Sequence, residues 1–184
     1  MGGAVTALYL MRDNNPIVKA VLSSPMISPK THGFPSFIVD MVAKKSGKKD
    51  GLDAIFPHSK PFNPNPNFVQ SSDASAARFT HNFNYRLNNP CYQNSAFSNG
   101  WIHEALKVKR LILNRKNISK IKARTLIISA ENDMVVHQEL HYKLAKRLKT
   151  STIVTMPGAK HTVYTASGPE LESFYKILFK FIEE

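Results

Sequence analysis

Cysteine is almost missing from this chain: Cys91 stands alone among 184 residues. One thiol closes no internal disulfide, so a disulfide-stapled secreted scaffold and a zinc knuckle are both excluded, and a reducing compartment is favoured. Long apolar runs are missing too. No stretch approaches the roughly 20 residues a membrane span requires, and no basic segment, short apolar core and small-residue cleavage site open the chain. The expected location is therefore cytoplasmic, or peripheral on the cytoplasmic membrane. Acidic residues are scarce: 13 Asp and Glu face 25 Lys and Arg, for a net charge of +12 and an isoelectric point near 9.9.

What is present is enough for one globular domain with a core, since 42% of the residues are hydrophobic. The positive excess gathers in "KKSGKK" (44–49), in "KVKRLILNRKNISKIKAR" (107–124) and in "KLAKRLK" (143–149). Such runs are either solvated faces or contacts with something acidic. Aromatic residues do not interleave with them as single-strand binding requires, so no nucleic-acid partner is expected. Anionic phospholipid headgroups fit better.

The opening "MGGAVTALYL" reads as a short apolar helix stopped by "RDNNP". Met1, Gly2 and Thr6 also satisfy the M-G-x-x-x-[ST] pattern of N-myristoylation. Three later runs read as strands buried on both faces: Ile17 to Leu22, "TLIISA" (125–130) and "TIVTM" (152–156). Strands of this kind separated by helices predict an α/β fold with a parallel sheet. Val136, Leu140, Leu144 and Leu148 predict a crossover helix over 135–148. Leu171, Phe174, Ile177, Leu178 and Phe181 predict a closing helix that packs on the sheet. The middle of the chain, roughly 27–99, holds most of the prolines and shows no strong period until a helix begins near Trp101; a segment this long reads as a lid or binding loop.

Two residues stand where parallel α/β sheets keep their chemistry, beyond the carboxyl ends of strands. Asp133 follows "TLIISA" and His161 follows "TIVTM". Each is ordinary alone, because an Asp after a strand caps helices and a loop His is commonly solvated. Together they lie on neighbouring strand ends, acid first and histidine last, where a carboxylate can fix an imidazole tautomer and stabilise its protonated form.

That order resembles the α/β-hydrolases, whose nucleophile elbow reads G-x-S-x-G. In the branch with monoglyceride lipases, serine aminopeptidase-like hydrolases and lysophospholipase L2, the elbow commonly reads Gly-His-Ser-Met-Gly-Gly, and Met1-Gly2-Gly3 looks like its second half. "AVTALYL" resembles the helix behind the elbow, "VLSSPM" the next strand, and "SSDASAARFTHNFNYRLNNP" with "GWIHEAL" a cap segment. "TLIISAENDMVV" and "PGAKHTVY" resemble the acid and histidine loops. On this reading the chain is the carboxyl-terminal part of an α/β-hydrolase domain spanning 1–184, with a cap inserted at about 27–115. Arg124 departs from the pattern, since relatives often carry proline there.

The resemblance implies a serine ester hydrolase, most specifically a lysophospholipase that releases a fatty acid through an acyl-enzyme, with monoglycerides or other carboxylic esters as the alternative substrates. His161 would deprotonate the serine, Asp133 would orient His161, and the backbone nitrogen of Met1 would be one oxyanion donor. The serine itself would directly precede Met1, so the 184 residues are expected to be inactive as they stand. The alternative is a non-catalytic lipid-binding or regulatory pseudo-hydrolase. Ser23 and Ser24 end a strand that leads into the cap rather than through an elbow, and they read as structural. Cys91 has no base nearby in sequence. "HQELH" (137–141) has histidines at helical i, i+4 spacing but lacks the glutamate order and third ligand of a zinc site, so it reads as a surface face of the crossover helix. No cofactor and no metal are expected; the expected partner is an amphiphilic lipid.

Overall fold

The computed structural model describes residues 1–57, 59–94 and 96–184. The chain divides into two compact units, one formed by Met1–Pro29, Ser72–Ser75 and Val108–Glu184, the other by Lys30–Ser71 and Ala76–Lys107.

The first unit is built on a three-stranded parallel sheet of β1 (Lys19–Ser23), β2 (Arg124–Ala130) and β3 (Ser151–Met156), in that spatial order. β2 lies between the other two and is buried along all but its first residue, which is why "TLIISA" is a continuous apolar run. β1 differs from its expectation: only Ala20 and Leu22 are buried, in strict alternation with half-buried neighbours. β3 likewise departs from it, burying only Met156; both strands are bonded on one side only, so each has one open edge that β2 lacks.

The opening helix α1 (Gly2–Leu10) buries Ala4, Ala7 and Leu10. Gly3 is required by close packing, because a Cβ there would meet the Cβ and Cα of Pro25 at 2.7 and 2.8 Å. That contact fixes the amino end of α1 beside the turn that leaves β1. The closing helix α7 (Gly168–Glu183) lays Leu171, Phe174, Ile177, Leu178 and Phe181 against Leu126, Ile128, Ala130 and Met156, as its spacing predicts. Arg124 has a use here: its guanidinium lies 5.5 Å from the Phe181 ring centre and bonds Glu184 Oε2 at 3.2 Å, tying the end of α7 to the start of β2.

The crossover helix α6 (Glu139–Arg147) starts later than predicted. The cause is Asp133, whose Oδ1 accepts the N–H groups of Val135 and Val136 and holds those residues in a turn instead of a helix. Val136 is then bridged to Pro29.

The second unit is more regular than the sequence suggests. It contains α2 (Ser36–Asp50), α3 (Ala76–Leu87), a 3₁₀ turn at Pro90–Tyr92 and the start of α4 (Asn99–Ile112). Phe62, Phe68, Phe79 and Phe83 form its aromatic cluster, with successive ring centres 5.6 to 5.7 Å apart. Asp40 of α2 joins His103 of α4 at 2.6 Å and Lys44 at 2.8 Å. The buried Asn99 bonds the Gly51 carbonyl at 3.1 Å. A short helix α5 (Arg115–Ile118), capped by the Asn114 side chain, precedes β2 in the first unit. Among the described residues no helix is long and apolar enough to cross a membrane.

Candidate active site

The carboxyl ends of β2 and β3 are joined by reciprocal bonds between the loops that leave them. Glu131 N–H donates to the Met156 carbonyl, Asn132 N–H to the Ala159 carbonyl at 2.9 Å, and Gly158 N–H to Glu131 Oε2 at 2.7 Å. Gly158 sits at φ 68°, which a glycine reaches without strain. These bonds set two loops at one separation, and at that separation Asp133 and His161 meet.

Asp133 is 1% exposed. Its Oδ2 accepts from His161 Nδ1 at 2.7 Å, while Oδ1 takes the two backbone N–H groups at 2.8 and 3.0 Å. Burial pushes its pKa up, but the His161 hydrogen bond, the two backbone donors and the charge of His161 together outweigh that and leave it below the ordinary carboxylate value. The carboxylate is thus ionised and fully engaged at neutral pH. With Nδ1 facing Asp133, Nε2 is the ring nitrogen that the carboxylate leaves unengaged.

The loop after His161 is strapped down by residues 72–75. Thr162 N–H donates to the Ser72 carbonyl at 3.1 Å, and the Thr165 hydroxyl lies 3.1 Å from Asp73 Oδ1. Asp73 was not singled out by sequence reasoning, and an acid among small polar residues offers little signal.

Met1 stands at the head of α1, its carbonyl accepting from Ala4 and Val5. Ser23 and Ser24 are at the end of β1, each with a buried hydroxyl that has no hydrogen-bond partner among the described residues; Ser24 has φ 40°. Cys91 is exposed in the second unit.

The "HQELH" segment corrects its reading. His137 is half-buried and pairs with Glu139 at 2.8 Å, but His141 is not on a surface face at all: it is 0% exposed. Its Nδ1 lies 2.8 Å from Ser129 Oγ and its Nε2 2.9 Å from the Pro25 carbonyl. Both ring nitrogens are thereby taken. The missed signal was that His141 stands next to Leu140 and three residues before Leu144, on the buried side of the helix.

Burial holds the His141 pKa below its ordinary 6.5, with Asp133 and Glu139 pulling it up and His161 pushing it down. The folded chain therefore refuses a proton that the unfolded chain accepts. Above pH 6.5 this costs nothing, and below it stability is lost. Asp133, with a folded pKa under 3.8, adds stability above 3.8 that disappears as pH falls through its folded value. Both effects have one sign, each limited to about 1.4 kcal/mol per pH unit. Thermal melts should accordingly shift downward from pH 7 to pH 4, and His141→Gln should flatten the part that starts near 6.5. A melting temperature constant between pH 7 and pH 4.5 in the unsubstituted chain would contradict this account.

A parallel sheet with helices, carrying a buried acid and a histidine bonded across adjacent strand ends, defines an α/β-hydrolase. The chain belongs to the family described as serine aminopeptidase, S33, whose profile matches residues 1–166. Its fold is similar to that of a soluble variant of monoglyceride lipase from Saccharomyces cerevisiae, with a TM-score of 0.69 and 14% identity, over 98% of this chain and 61% of that one. It is similar also to the monoacylglycerol lipase of Paleococcus ferrophilus, with a TM-score of 0.67 and 20% identity, over 98% of this chain and 64% of that one. The enol-lactonase of Burkholderia xenovorans LB400 gives 0.61 at 17% identity, over 100% and 63%. The chain thus spans less than two thirds of the length of these neighbours. No curated protein matches it in sequence.

Proposed function

We propose that residues 1–184 supply the acid and the general base of a serine ester hydrolase acting on a single-chain glycerolipid, with the nucleophile contributed from outside these residues. The observation that carries the reading is the 2.7 Å bond between the buried Asp133 carboxylate and His161 Nδ1 at the edge of a parallel sheet. In the reaction, His161 Nε2 takes the serine proton as Oγ attacks the ester carbonyl. Asp133 keeps the Nδ1 proton in place and balances the imidazolium; the alcohol leaves with the proton, and water then releases the fatty acid by the same route. The nitrogen of Met1, next to the nucleophile in this scheme, is one of the two donors to the oxyanion.

The substrate we propose is a lysophospholipid, for which the basic surface is the support; a monoglyceride is the alternative, favoured by two structural neighbours that are lipases of that class. Lipid contact falls to the second unit, as the cap. On α2, Phe37 is 71% and Met41 60% exposed, and Lys44, Lys45, Lys48 and Lys49 follow them toward the carboxyl end. Apolar anchors next to a block of lysines suit the surface of an anionic bilayer. The second reading, a non-catalytic lipid-binding pseudo-hydrolase, is favoured by one observation: the sequence holds no G-x-S-x-G.

Two measurements separate the readings. Codons for Gly-His-Ser are expected in frame directly before Met1, and an in-frame stop there would sink the catalytic reading. With the upstream coding sequence restored, lysophospholipid or monoglyceride hydrolysis is expected, falling to background in His161→Ala. Residues 1–184 alone should show none. Turnover by 1–184 that vanishes in His161→Ala would mean that the nucleophile lies within the chain.

A further inference from the structure

His141 has no part in the proton transfers above, yet among the described histidines it is the one with the least access to water. Its two ring nitrogens bridge two separate strand ends. Ser129, near the end of β2, is the one hydroxyl in the buried apolar stretch 126–130, and it faces Nδ1 at 2.8 Å. The Pro25 carbonyl, on the turn after β1, faces Nε2 at 2.9 Å. A carbonyl only accepts, so Nε2 carries the proton and donates; Nδ1 then accepts from the Ser129 hydroxyl. The ring is a neutral imidazole of fixed tautomer, matching the direction in which burial moves its pKa.

Pro25 is held from its other side as well. The missing side chain of Gly3, in the first turn of α1, is what lets that turn close on Pro25. The Pro25 carbonyl also accepts Ile27 N–H at 2.8 Å, closing a tight turn, and the preceding Ser24 sits at φ 40°, a left-handed conformation that a serine adopts only when its surroundings impose it. The buried hydroxyls of Ser23 and Ser24 find no partner among the described residues. Strain and two orphaned hydroxyls are tolerated at one spot, and what that spot presents is the carbonyl that His141 binds.

We infer that His141 is a positioning residue for the acid–histidine pair: the bridge Gly3, Pro25, His141, Ser129 fixes the head of α1 against the end of β2, four residues before Asp133. The inference rests on the proposed function, in which the head of α1 adjoins the nucleophile. The segment after β1 is tied to β2 and its loop also by Ser24 N–H to the Ile128 carbonyl and by the Pro29–Val136 bridge, but among these ties the His141 bridge is the one that reaches the turn packed on Gly3. Neutrality matters as much as geometry. The charged groups that act on His141 are Asp133 and His161 from the two loops and Glu139 from its own helix. A cationic ring at this position would place a second positive charge near Asp133 and oppose protonation of His161, whereas the neutral ring leaves the Asp133 charge to balance His161.

The test uses the 184-residue chain labelled with ¹⁵N and read by NMR at its imidazole nitrogens and low-field protons. In the unsubstituted chain, His141 is expected as the Nε2–H tautomer with its titration displaced below the ordinary 6.5, and His161 Nδ1–H is expected as a low-field resonance bonded to Asp133. His141→Ala should lose that His161 resonance to exchange. His141→Gln, whose amide offers one acceptor to Ser129 and one donor to Pro25, should restore it. Should the alanine chain fail to fold, Ser129→Ala removes only the donor to Nδ1 and is expected to weaken the same resonance. An unchanged His161 resonance in a folded His141→Ala chain, or in Ser129→Ala, overturns the role of His141 and leaves the acid–histidine reading standing. Absence of the resonance from the unsubstituted chain removes both.

Discussion

On the proposed function, Asp133→Asn, in a protein that carries a Gly-His-Ser elbow ahead of Met1, is expected to lower kcat for ester hydrolysis by about 10⁴-fold with KM little changed. The reason lies in which atoms Asp133 engages. An asparagine would keep Oδ1 as the acceptor for Val135 and Val136 N–H, so the turn and the start of α6 survive. Its amide nitrogen would then occupy the place of Oδ2, 2.7 Å from His161 Nδ1. Two donors cannot share that bond. His161 is driven to the tautomer with its proton on Nε2, which cannot take one from the nucleophile, and the negative charge that balances the imidazolium is gone as well. The same substitution removes the acid-side loss of stability tied to Asp133, so melting curves of the variant should be flatter below pH 3.8. Steady-state kinetics with a lysophospholipid and a monoglyceride, alongside melts at pH 3 and pH 7, measure both effects. A loss of less than about 10-fold in kcat would mean that Asp133 only shapes its loop, which is the ordinary role of an aspartate after a strand.

The features readable from sequence are those in which one physical demand acts alone. β2 is buried on both faces and bonded on both edges, so 126–130 holds nothing but apolar residues and one paired serine, and the buried Thr125 before them spends its hydroxyl on the Ala123 carbonyl. α7 packs one stripe on that sheet and leaves the rest to water, and its period is clean. Asp133 and His161 could be expected to meet because they lie on the loops that leave the carboxyl ends of the neighbouring strands β2 and β3. The misreadings fall where two demands compete. The apolar spacing over 135–148 is real, but the Asp133 side chain takes the backbone donors that a helix would need, and α6 begins at Glu139. His141 looks like a surface residue because histidine is polar; two acceptor-donor matches, invisible in sequence, make its burial possible. In α3, Phe79 and Phe83 stand four apart, yet their partners Phe62 and Phe68 lie in a proline-rich segment with no period of its own. In α2 the solvent face changes character along the helix, apolar at Phe37, Ile38 and Met41 and basic from Lys44 onward, which erases the oscillation that marks an ordinary surface helix.

That change of character along α2 leads to the second large effect. Replacing Lys45, Lys48 and Lys49 together by glutamate should weaken binding of the chain to phosphatidylglycerol vesicles by more than about 100-fold, and leave binding to pure phosphatidylcholine vesicles nearly unchanged. A lysine near an anionic surface contributes about 1 kcal/mol, so three lost charges come to about 3 kcal/mol before the repulsion of three carboxylates is added. Lys44 is left in place because its ammonium holds Asp40 Oδ2 at 2.8 Å, and Asp40 in turn holds His103 of α4; changing it would disturb the packing of α2 as well as its charge. The three substituted lysines are all exposed on the helix surface, so the folded unit should tolerate them, and an unaltered circular dichroism spectrum checks this. Phe37→Ser with Met41→Ser tests the other half of the face. Both side chains are mostly exposed, so their loss should cost the fold little, while removing the part of vesicle binding that survives 0.5 M salt, where the screening length falls to a few ångström. The two sets of variants therefore separate by salt: the lysine set loses the salt-sensitive part, the apolar set the salt-resistant part. Equal binding of all variants to anionic vesicles would remove α2 as the lipid-facing element without touching Asp133 and His161.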